Sequence, residues 1–157
     1  MVENKDAQRV YDTLCTTLDK MGWKYSADNE KLIVRTAAIG DDLPVNIVTY
    51  VDADRSIMFV KSRLPIKVTE DKIVDMSIAL HEANYSMLNG CFEYDIAGGV
   101  VNFKILVPFV GSLISESVCH YMIMLTCQMV DKFNDKLEDL VKGKMTLKEF
   151  VAFVRKD

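Results

Sequence analysis

Hydrophobic side chains recur along the chain with two different periods, and the first of these is helical. Residues 4–21 place apolar side chains three or four positions apart, the spacing that lines one face of an α-helix. The positions are Ala7, Val10, Tyr11, Leu14, Leu18 and Met21. Gly22 follows and can end this helix, because glycine readily adopts the left-handed conformation found after helix C-termini.

The pattern then changes to one typical of β-strands. Residues 31–35, 45–51 and 57–60 are runs rich in β-branched and aromatic side chains. Turn-forming residues separate the runs, with a glycine and two aspartates at 40–42 and two aspartates within 52–54. The sequence therefore predicts a three-stranded antiparallel meander after the first helix.

A second helix and a hairpin are predicted next. The helical period returns over residues 69–88, where Thr69 is a candidate N-cap. Gly90 follows its end. Residues 91–95 and 100–107 are two further strand-like runs, and the glycines between them favour a tight turn, which predicts a β-hairpin.

Two helices complete the predicted order. Ser115 can cap a long third helix that reaches Val141, and Thr146 with Glu149 forms a capping box at the start of a short last helix. The fold class expected is α+β, with a five-stranded antiparallel sheet in the order α-β-β-β-α-β-β-α plus a short C-terminal helix. We expect residues 1–157 to form a single domain, with 144–157 as a C-terminal helical extension.

Composition narrows the classes of protein that the chain can represent. Half of its 157 residues are hydrophobic and 27% are charged, an ordinary balance for a globular domain. Its N-terminal residues are polar and acidic, and no stretch approaches the roughly 20 apolar residues of a membrane span, which predicts a soluble, cytoplasmic protein. With a net charge of −4 and scattered lysines, the sequence argues against nucleic acid as a partner.

Catalytic and metal-binding patterns are weak. His81 and Glu82 match the start of the His-Glu-x-x-His motif of zinc proteases, but Tyr85 occupies the position of the second histidine. Cys119 and His120 are adjacent, so on a helix their side chains point about 100° apart and do not form a nucleophile–base pair. The cysteines lack metal-ligand spacing and are interpreted as reduced core thiols: Cys15, Cys91, Cys119 and Cys127. We expect no catalytic residue, no metal and no cofactor.

The strands are apolar on both faces, whereas an antiparallel sheet covered on one side normally alternates apolar and polar residues. On the second strand, for example, Val48 and Tyr50 point away from the side of Val51. The second face can be covered by the chain's own helices, by a second copy of the protein, or by a segment of a partner. The contact surface predicted for such a partner consists of Tyr50, Met58, Val60, Met122 and Met124.

One stretch resembles a known family. Residues 80–95, followed by 99–104, are similar to the helix-to-hairpin signature of the YbjN-type family of bacterial sensory transduction regulators. In that signature an Asn-Tyr pair, here Asn84-Tyr85, ends the second helix, and a glycine, here Gly90, opens the hairpin. The order of elements also resembles type III secretion chaperones. The resemblance implies a protein-binding, regulatory or chaperone-like role, often with self-association, and offers no catalytic residues to carry over.

Three functional hypotheses follow. The first is a non-enzymatic adaptor, chaperone-like or regulatory, that binds a segment of a partner protein through an apolar sheet or helix face and that can also form a homodimer. The alternative is a small-molecule or lipid-binding module with an internal apolar pocket. A cysteine-dependent enzyme is the third hypothesis, and fast reaction of one thiol at neutral pH would reveal it.

Overall fold

Six strands and four helices follow one another along residues 5–156, the part of the chain that this computed structural model describes. The predicted helix start at Asn4 lies outside the described residues. The elements are α1 (Lys5–Lys20), β1 (Tyr25–Asp28), β2 (Ile33–Ile39), β3 (Pro44–Asp52), β4 (Ile57–Lys67), α2 (Ile73–Tyr85), β5 (Cys91–Asp95), β6 (Val100–Pro108), α3 (Glu116–Val141) and α4 (Leu147–Val154).

The strands form one antiparallel sheet with the spatial order β1-β2-β3-β4-β6-β5. β1 to β4 are a meander, and β6 of the β5–β6 hairpin pairs with β4. At the tip of this hairpin the Val68 N–H donates to the carbonyl of Gly99 at 3.0 Å, so the tip is tied to the end of β4. β5 and β1 are therefore the two edges of the sheet.

The α+β class is confirmed, but the predicted count of five strands is wrong because β1 was missed. Only Tyr25 in its sequence Tyr-Ser-Ala-Asp favours a strand. Pairing with β2 makes it one, from Tyr25 opposite Thr36 to Asp28 opposite Ile33. The Thr36 hydroxyl also donates to the carbonyl of Lys24 at 2.8 Å, just before β1 begins.

β4 is also much longer than the predicted strand at 57–60. It continues to Lys67 through Lys61, Ser62, Arg63 and Pro65, which break the apolar run. Its pairing with β6 shifts register between Arg63 and Lys67, around the proline, which cannot donate a ladder hydrogen bond.

All the fully buried strand side chains lie on one face of the sheet, beneath the helices. Val34, Thr49, Val60 and Ile105 form one row of cross-strand partners across four strands, and each is buried. α1 and α3 pack on this face and also contact each other, and the Lys20 ammonium at the end of α1 binds Glu116 at the start of α3 at 2.7 Å. The hydrophobic core therefore lies between one face of the sheet and the helices.

Most of the predicted helix ends are present. Ser115 accepts a hydrogen bond from the N–H of Val118 at 3.3 Å, and Thr146 with Glu149 forms the full capping box. The second helix differs from the prediction: Thr69 makes no side-chain capping bond, a short 3₁₀ turn at Glu70–Lys72 comes first, and the helix ends at Tyr85.

The C-terminal extension packs on the helical side of the sheet. Phe150 and Phe153 of α4 have ring centroids 6.2 and 5.9 Å from that of Phe133 on α3. The guanidinium of Arg155 donates two hydrogen bonds to the Glu82 carboxylate on α2, at 3.0 and 3.1 Å. The extension thus strengthens the helical layer and leaves the opposite face of the sheet uncovered.

Candidate functional site

The second face of the sheet is the candidate site. Every strand residue whose side chain points away from the helices is either partly buried or exposed, and none is fully buried in the described chain. We call this surface the open face. Its apolar members include Ile33, Ile39, Val48, Tyr50, Ile57, Phe59 and Leu106, and its basic members are Arg35, Lys61, Arg63, Lys67 and Lys104.

An apolar row crosses the middle of the open face. Ile33, Tyr50, Phe59 and Leu106 are successive cross-strand partners on β2, β3, β4 and β6. The rings of Tyr50 and Phe59 stack with centroids 4.7 Å apart and an angle of 15° between their planes. Leu106 is 43% exposed; it pairs with Phe59 on β4, and on its other side the pairing of β6 with β5 ends at Lys104. This row is apolar surface that water still reaches.

A charged cluster lies beside this row. Lys61 and Lys104 are direct cross-strand partners, an arrangement in which like charges repel. Glu93 on β5 offsets the repulsion, because its carboxylate binds Lys104 closely and reaches Lys61 at 3.5 Å. Burial alone would raise the pKa of Glu93, but its hydrogen bonds to and the charges of Lys104 and Lys61 outweigh burial, so that the pKa lies below its ordinary value. The hydrogen bond to Glu93 likewise raises the pKa of Lys104.

The structure brings only one of the predicted contact residues to the open face, and that residue is Tyr50. Met58 and Val60 are each 0% exposed and Met122 is 1% exposed, because all three lie in the core between sheet and helices. Met124 is partly buried on α3, on the opposite side of the sheet from Tyr50. In this structure Met58, Val60 and Met122 cannot contact a partner, and the five residues do not form one surface.

Register explains this correction. Side chains that are cross-strand partners share a face, and Tyr50 pairs with Phe59. Met58, one residue earlier on β4, therefore points to the other face. Sequence reasoning missed Ile33, Phe59 and Leu106 as open-face residues, because a turn at 52–54 would have put Met58 on the face of Tyr50, whereas the observed turn pairs Asp52 with Ile57.

Three positions of the signature that carries the family resemblance, Asn84, Gly90 and Gly99, have structural roles, whereas Tyr85 is 85% exposed. The Asn84 side chain accepts a hydrogen bond from the N–H of Phe92 and donates one to its carbonyl. Gly90 has φ +76°, and a Cβ atom there would lie 2.4 Å from Cζ of Phe103. A Cβ at Gly99 would lie 2.7 Å from the Val68 carbonyl oxygen. These residues build the helix-to-hairpin junction.

The four cysteines lie in surroundings that raise the pKa of their thiols. Burial is the main cause that raises the pKa of each cysteine, to about 11 for Cys119 and for Cys127. Cys119 is buried whereas His120 is exposed, so the two side chains point in different directions. Among residues 5–156 no group of three or more histidine, cysteine or acidic side chains could hold a metal ion. Nor is any helix of this part of the chain long and apolar enough to cross a membrane.

A cavity with a volume of about 650 Å³ opens at the surface beside the tip of the β5–β6 hairpin. Its lining includes Lys67, Glu70, Ile73, Ile96 and Gly99, a mixture of charged, apolar and backbone groups. A module that encloses an apolar small molecule needs a deeper and more apolar cavity than this one.

Comparison with solved structures identifies the fold. YbjN from E. coli, a candidate transcription regulator, matches with a TM-score of 0.61 and 10% sequence identity over 85% of this chain and 92% of that chain. A chain of the HopA1–SchA chaperone–effector complex matches with a TM-score of 0.59 and 11% identity over 86% of this chain and 99% of that one. No protein-family model and no curated protein matches the sequence.

The fold is therefore that of the α+β proteins in which helices cover one face of an antiparallel sheet. More specifically, it is a YbjN-like, type III secretion chaperone-like fold, as the resemblance in the sequence predicts. At such low identity the likeness concerns the fold alone.

Proposed function

We propose that this protein is a non-enzymatic binding module, chaperone-like or regulatory, that holds a segment of a partner protein on the open face. The observation that supports this proposal is the apolar row of Ile33, Tyr50, Phe59 and Leu106, which no described helix covers. Contiguous apolar surface on a folded chain commonly marks a place where another protein binds.

Binding on the open face would act through burial of apolar surface. A segment that removed about 400 Å² of apolar surface from water would gain roughly 10 kcal/mol, before the cost of ordering the segment is subtracted. The ring pair of Tyr50 and Phe59 is a suitable centre for such a contact, because the flat, stacked rings are already ordered.

The edges of the sheet favour binding across the strands over addition of a strand. At the β5 edge, Asn84 already occupies the N–H and carbonyl of Phe92, which an added strand would need. At the other edge β1 has only four residues. A segment lying across β2, β3, β4 and β6 would meet neither restriction.

The structural neighbours support a binding role without specifying it. One is a chaperone bound to an effector and the other a candidate regulator, so the neighbours agree with a non-enzymatic adaptor. The raised thiol pKa values described above also disfavour a cysteine-dependent reaction. A cytoplasmic location and a homodimer stay predictions.

Site-specific photo-crosslinking tests the proposal. A photoreactive amino acid replaces Leu106 on the open face in one variant and Tyr85, an 85% exposed residue of α2, in a matched variant. We expect a partner protein to crosslink at position 106 and not at position 85. The purified partner should then bind the wild-type chain and Tyr85→Glu equally, and Leu106→Glu at least about tenfold more weakly. A partner whose affinity is unchanged by Leu106→Glu would contradict the proposal.

A further inference from the structure

The distribution of charge on the open face points to the chemistry of its occupant, and this inference rests on the proposed function. On the four central strands, β2, β3, β4 and β6, the open face carries five basic side chains and one acidic one. The basic ones are Arg35, Lys61, Arg63, Lys67 and Lys104, and the acidic one is Asp52. The whole protein has a net charge of −4, so this strip is opposite in sign to the rest of the molecule.

The acidic side chains near this strip are already engaged. Asp52 accepts hydrogen bonds from the backbone N–H and the guanidinium of Arg55, at 2.9 and 2.7 Å. Glu93 is shared between Lys61 and Lys104, so one negative charge faces two positive ones. Arg35, Arg63 and Lys67 on the central strands are left without an ion pair among the described residues 5–156.

Two basic side chains in particular are available to a partner. Arg35 and Arg63 are exposed, and neither forms an ion pair with any residue in the described range 5–156. A guanidinium can bind a carboxylate through two parallel hydrogen bonds, a geometry that lysine lacks. These two arginines are therefore suited to carboxylates supplied from outside the chain.

The basic and apolar groups lie in neighbouring rows. The row of Ile33, Tyr50, Phe59 and Leu106 lies two residues along each strand from the row of Arg35, Val48, Lys61 and Lys104. Two residues of a strand span about 7 Å, so a segment lying on the apolar row has basic groups along one side within reach of its own side chains.

We propose that the occupant of the open face is a protein segment in which apolar anchors are flanked by aspartate or glutamate. The anchors bind over Tyr50, Phe59 and Leu106, and the carboxylates bind Arg35 and Arg63 and share the lysines with Glu93. Apolar burial supplies most of the affinity, and the charges fix the orientation of the segment and exclude basic partners.

Nucleic acid fits this surface less well. Single-stranded nucleic acid binds where bases stack on aromatic rings inside a positively charged groove. Here the rings of Tyr50 and Phe59 stack on each other, and Glu93 lies among the lysines, where it would repel phosphates. The net charge of −4 adds long-range repulsion of a polyanion.

Selection from a random peptide library displayed on phage, with the full chain immobilised, tests the proposal. Selected peptides are synthesised and their affinities measured by fluorescence anisotropy. The charge variant is Arg35→Glu with Arg63→Glu, the anchor variant is Leu106→Glu, and the control is Lys144→Glu with Lys148→Glu. The control makes the same change in net charge at exposed positions in and just before α4. Circular dichroism confirms that each variant is folded, and a fluorescent 20-nucleotide oligothymidine is measured in parallel.

We expect the selected peptides to combine apolar with acidic residues. Their affinity should fall roughly tenfold in the charge variant, as expected for the loss of two exposed ion pairs, and should be unchanged in the control. Two results would overturn this inference and leave the proposed function intact. The first is peptides that need Leu106 but lack acidic residues, and the second is peptides whose affinity is the same for the charge variant as for wild type. Selection of no peptide, or only of peptides indifferent to Leu106→Glu, would overturn both. If wild type binds oligothymidine and the charge variant does not, the occupant of the open face is nucleic acid and not an acidic protein segment.

Discussion

The side chain of Asn84 forms two hydrogen bonds with the backbone of Phe92, accepting from its N–H at 2.7 Å and donating to its carbonyl at 3.0 Å. The carboxamide thus occupies the position that the backbone of a further strand would take beside β5. This contact satisfies two polar groups at the edge of the sheet and joins the end of α2 to the first strand of the hairpin. It also protects that edge from pairing with another chain.

Replacing Asn84 should destabilise the protein. Asn84→Ala leaves the N–H and carbonyl of Phe92 without their partner in a partly buried site, and we expect a loss of about 1–3 kcal/mol. Asn84→Asp, the matched variant, keeps the acceptor but loses the donor and places a negative charge beside a carbonyl oxygen. It should be less stable than wild type as well. Urea denaturation measures both, and an unchanged midpoint for Asn84→Ala would contradict the structural role.

Gly90 and Gly22 provide a matched pair of glycine variants. Both have positive φ, +76° and +70°, so alanine is strained at either position. At Gly22 nothing lies within 4 Å of the added Cβ, and Gly22→Ala should cost only about 1 kcal/mol. At Gly90 the Cβ would meet the buried ring of Phe103, and overpacking adds about 1–3 kcal/mol. The melting temperature of Gly90→Ala should therefore be lower than that of Gly22→Ala. Equal melting temperatures would contradict the contact with Phe103.

Acidic substitutions should distinguish the two faces of the sheet. Met58→Glu places a carboxylate in the core, a cost of several kcal/mol that is comparable to the stability of a whole domain, so we expect an unfolded protein. Leu106→Glu places the same group in water and should change stability by less than about 1 kcal/mol. Circular dichroism and thermal melting compare them, with Met58→Leu as a volume-conserving control. A folded Met58→Glu would show that the assignment of the faces is wrong.

The cluster around Glu93 predicts a specific pH dependence. Because the pKa of Glu93 is lowered in the folded state, ionised Glu93 adds stability that is complete above its ordinary pKa of about 4.3 and is lost as the pH falls through the folded value. The contribution should not exceed about 1 kcal/mol, since the group is about one third exposed.

Wild type and Glu93→Gln, compared by urea denaturation between pH 7 and pH 3, test this expectation. Wild type should be the more stable of the two at pH 7, and the difference should shrink below about pH 4. A difference that stays constant with pH would mean that the ion pairs do not cause it.

The four thiols should react slowly at neutral pH. Burial raises the pKa of Cys119 and Cys127 to about 11 and raises those of Cys15 and Cys91 in the same direction. With a pKa near 11, the thiolate fraction at pH 7 is more than about a hundredfold below that of a free thiol. Iodoacetamide labelling followed by mass spectrometry measures each rate, with the urea-unfolded chain as control. A thiol faster than free cysteine would revive the hypothesis of a cysteine enzyme.

Sequence patterns predicted the elements well where hydrophobic periodicity was strong. The capped start of α3 at Ser115 and the capping box of α4 are local features and needed no tertiary information. β1 and the second half of β4 were missed for a common reason. Most of their residues are polar or lack β-branching, Ile66 being the exception, and they are strands because a neighbouring strand supplies hydrogen bonds.

Assigning residues to the open face also required the register between neighbouring strands. Alternation within each strand separates Met58 from Phe59, as the sequence indicated. Which of the two shares a side with Tyr50 depends on the register across the β3–β4 turn, where Asp52 pairs with Ile57. A turn one residue longer would have placed Met58 on the same face as Tyr50. The prediction of the contact surface was therefore wrong because the length of the turn was not known, although the strands themselves were predicted.

The packing of α1 against α3 has a consequence for how the chain folds. Lys20 and Glu116, which join these helices, are 96 residues apart in sequence. While the chain emerges from the ribosome, the meander of β1 to β4 is complete before the helix that covers it has been synthesised. β4, which carries Val60, then lacks the cover that α3 provides until α3 has been synthesised. We therefore expect truncation before α3 to leave apolar sheet surface exposed and the shortened chain prone to aggregation.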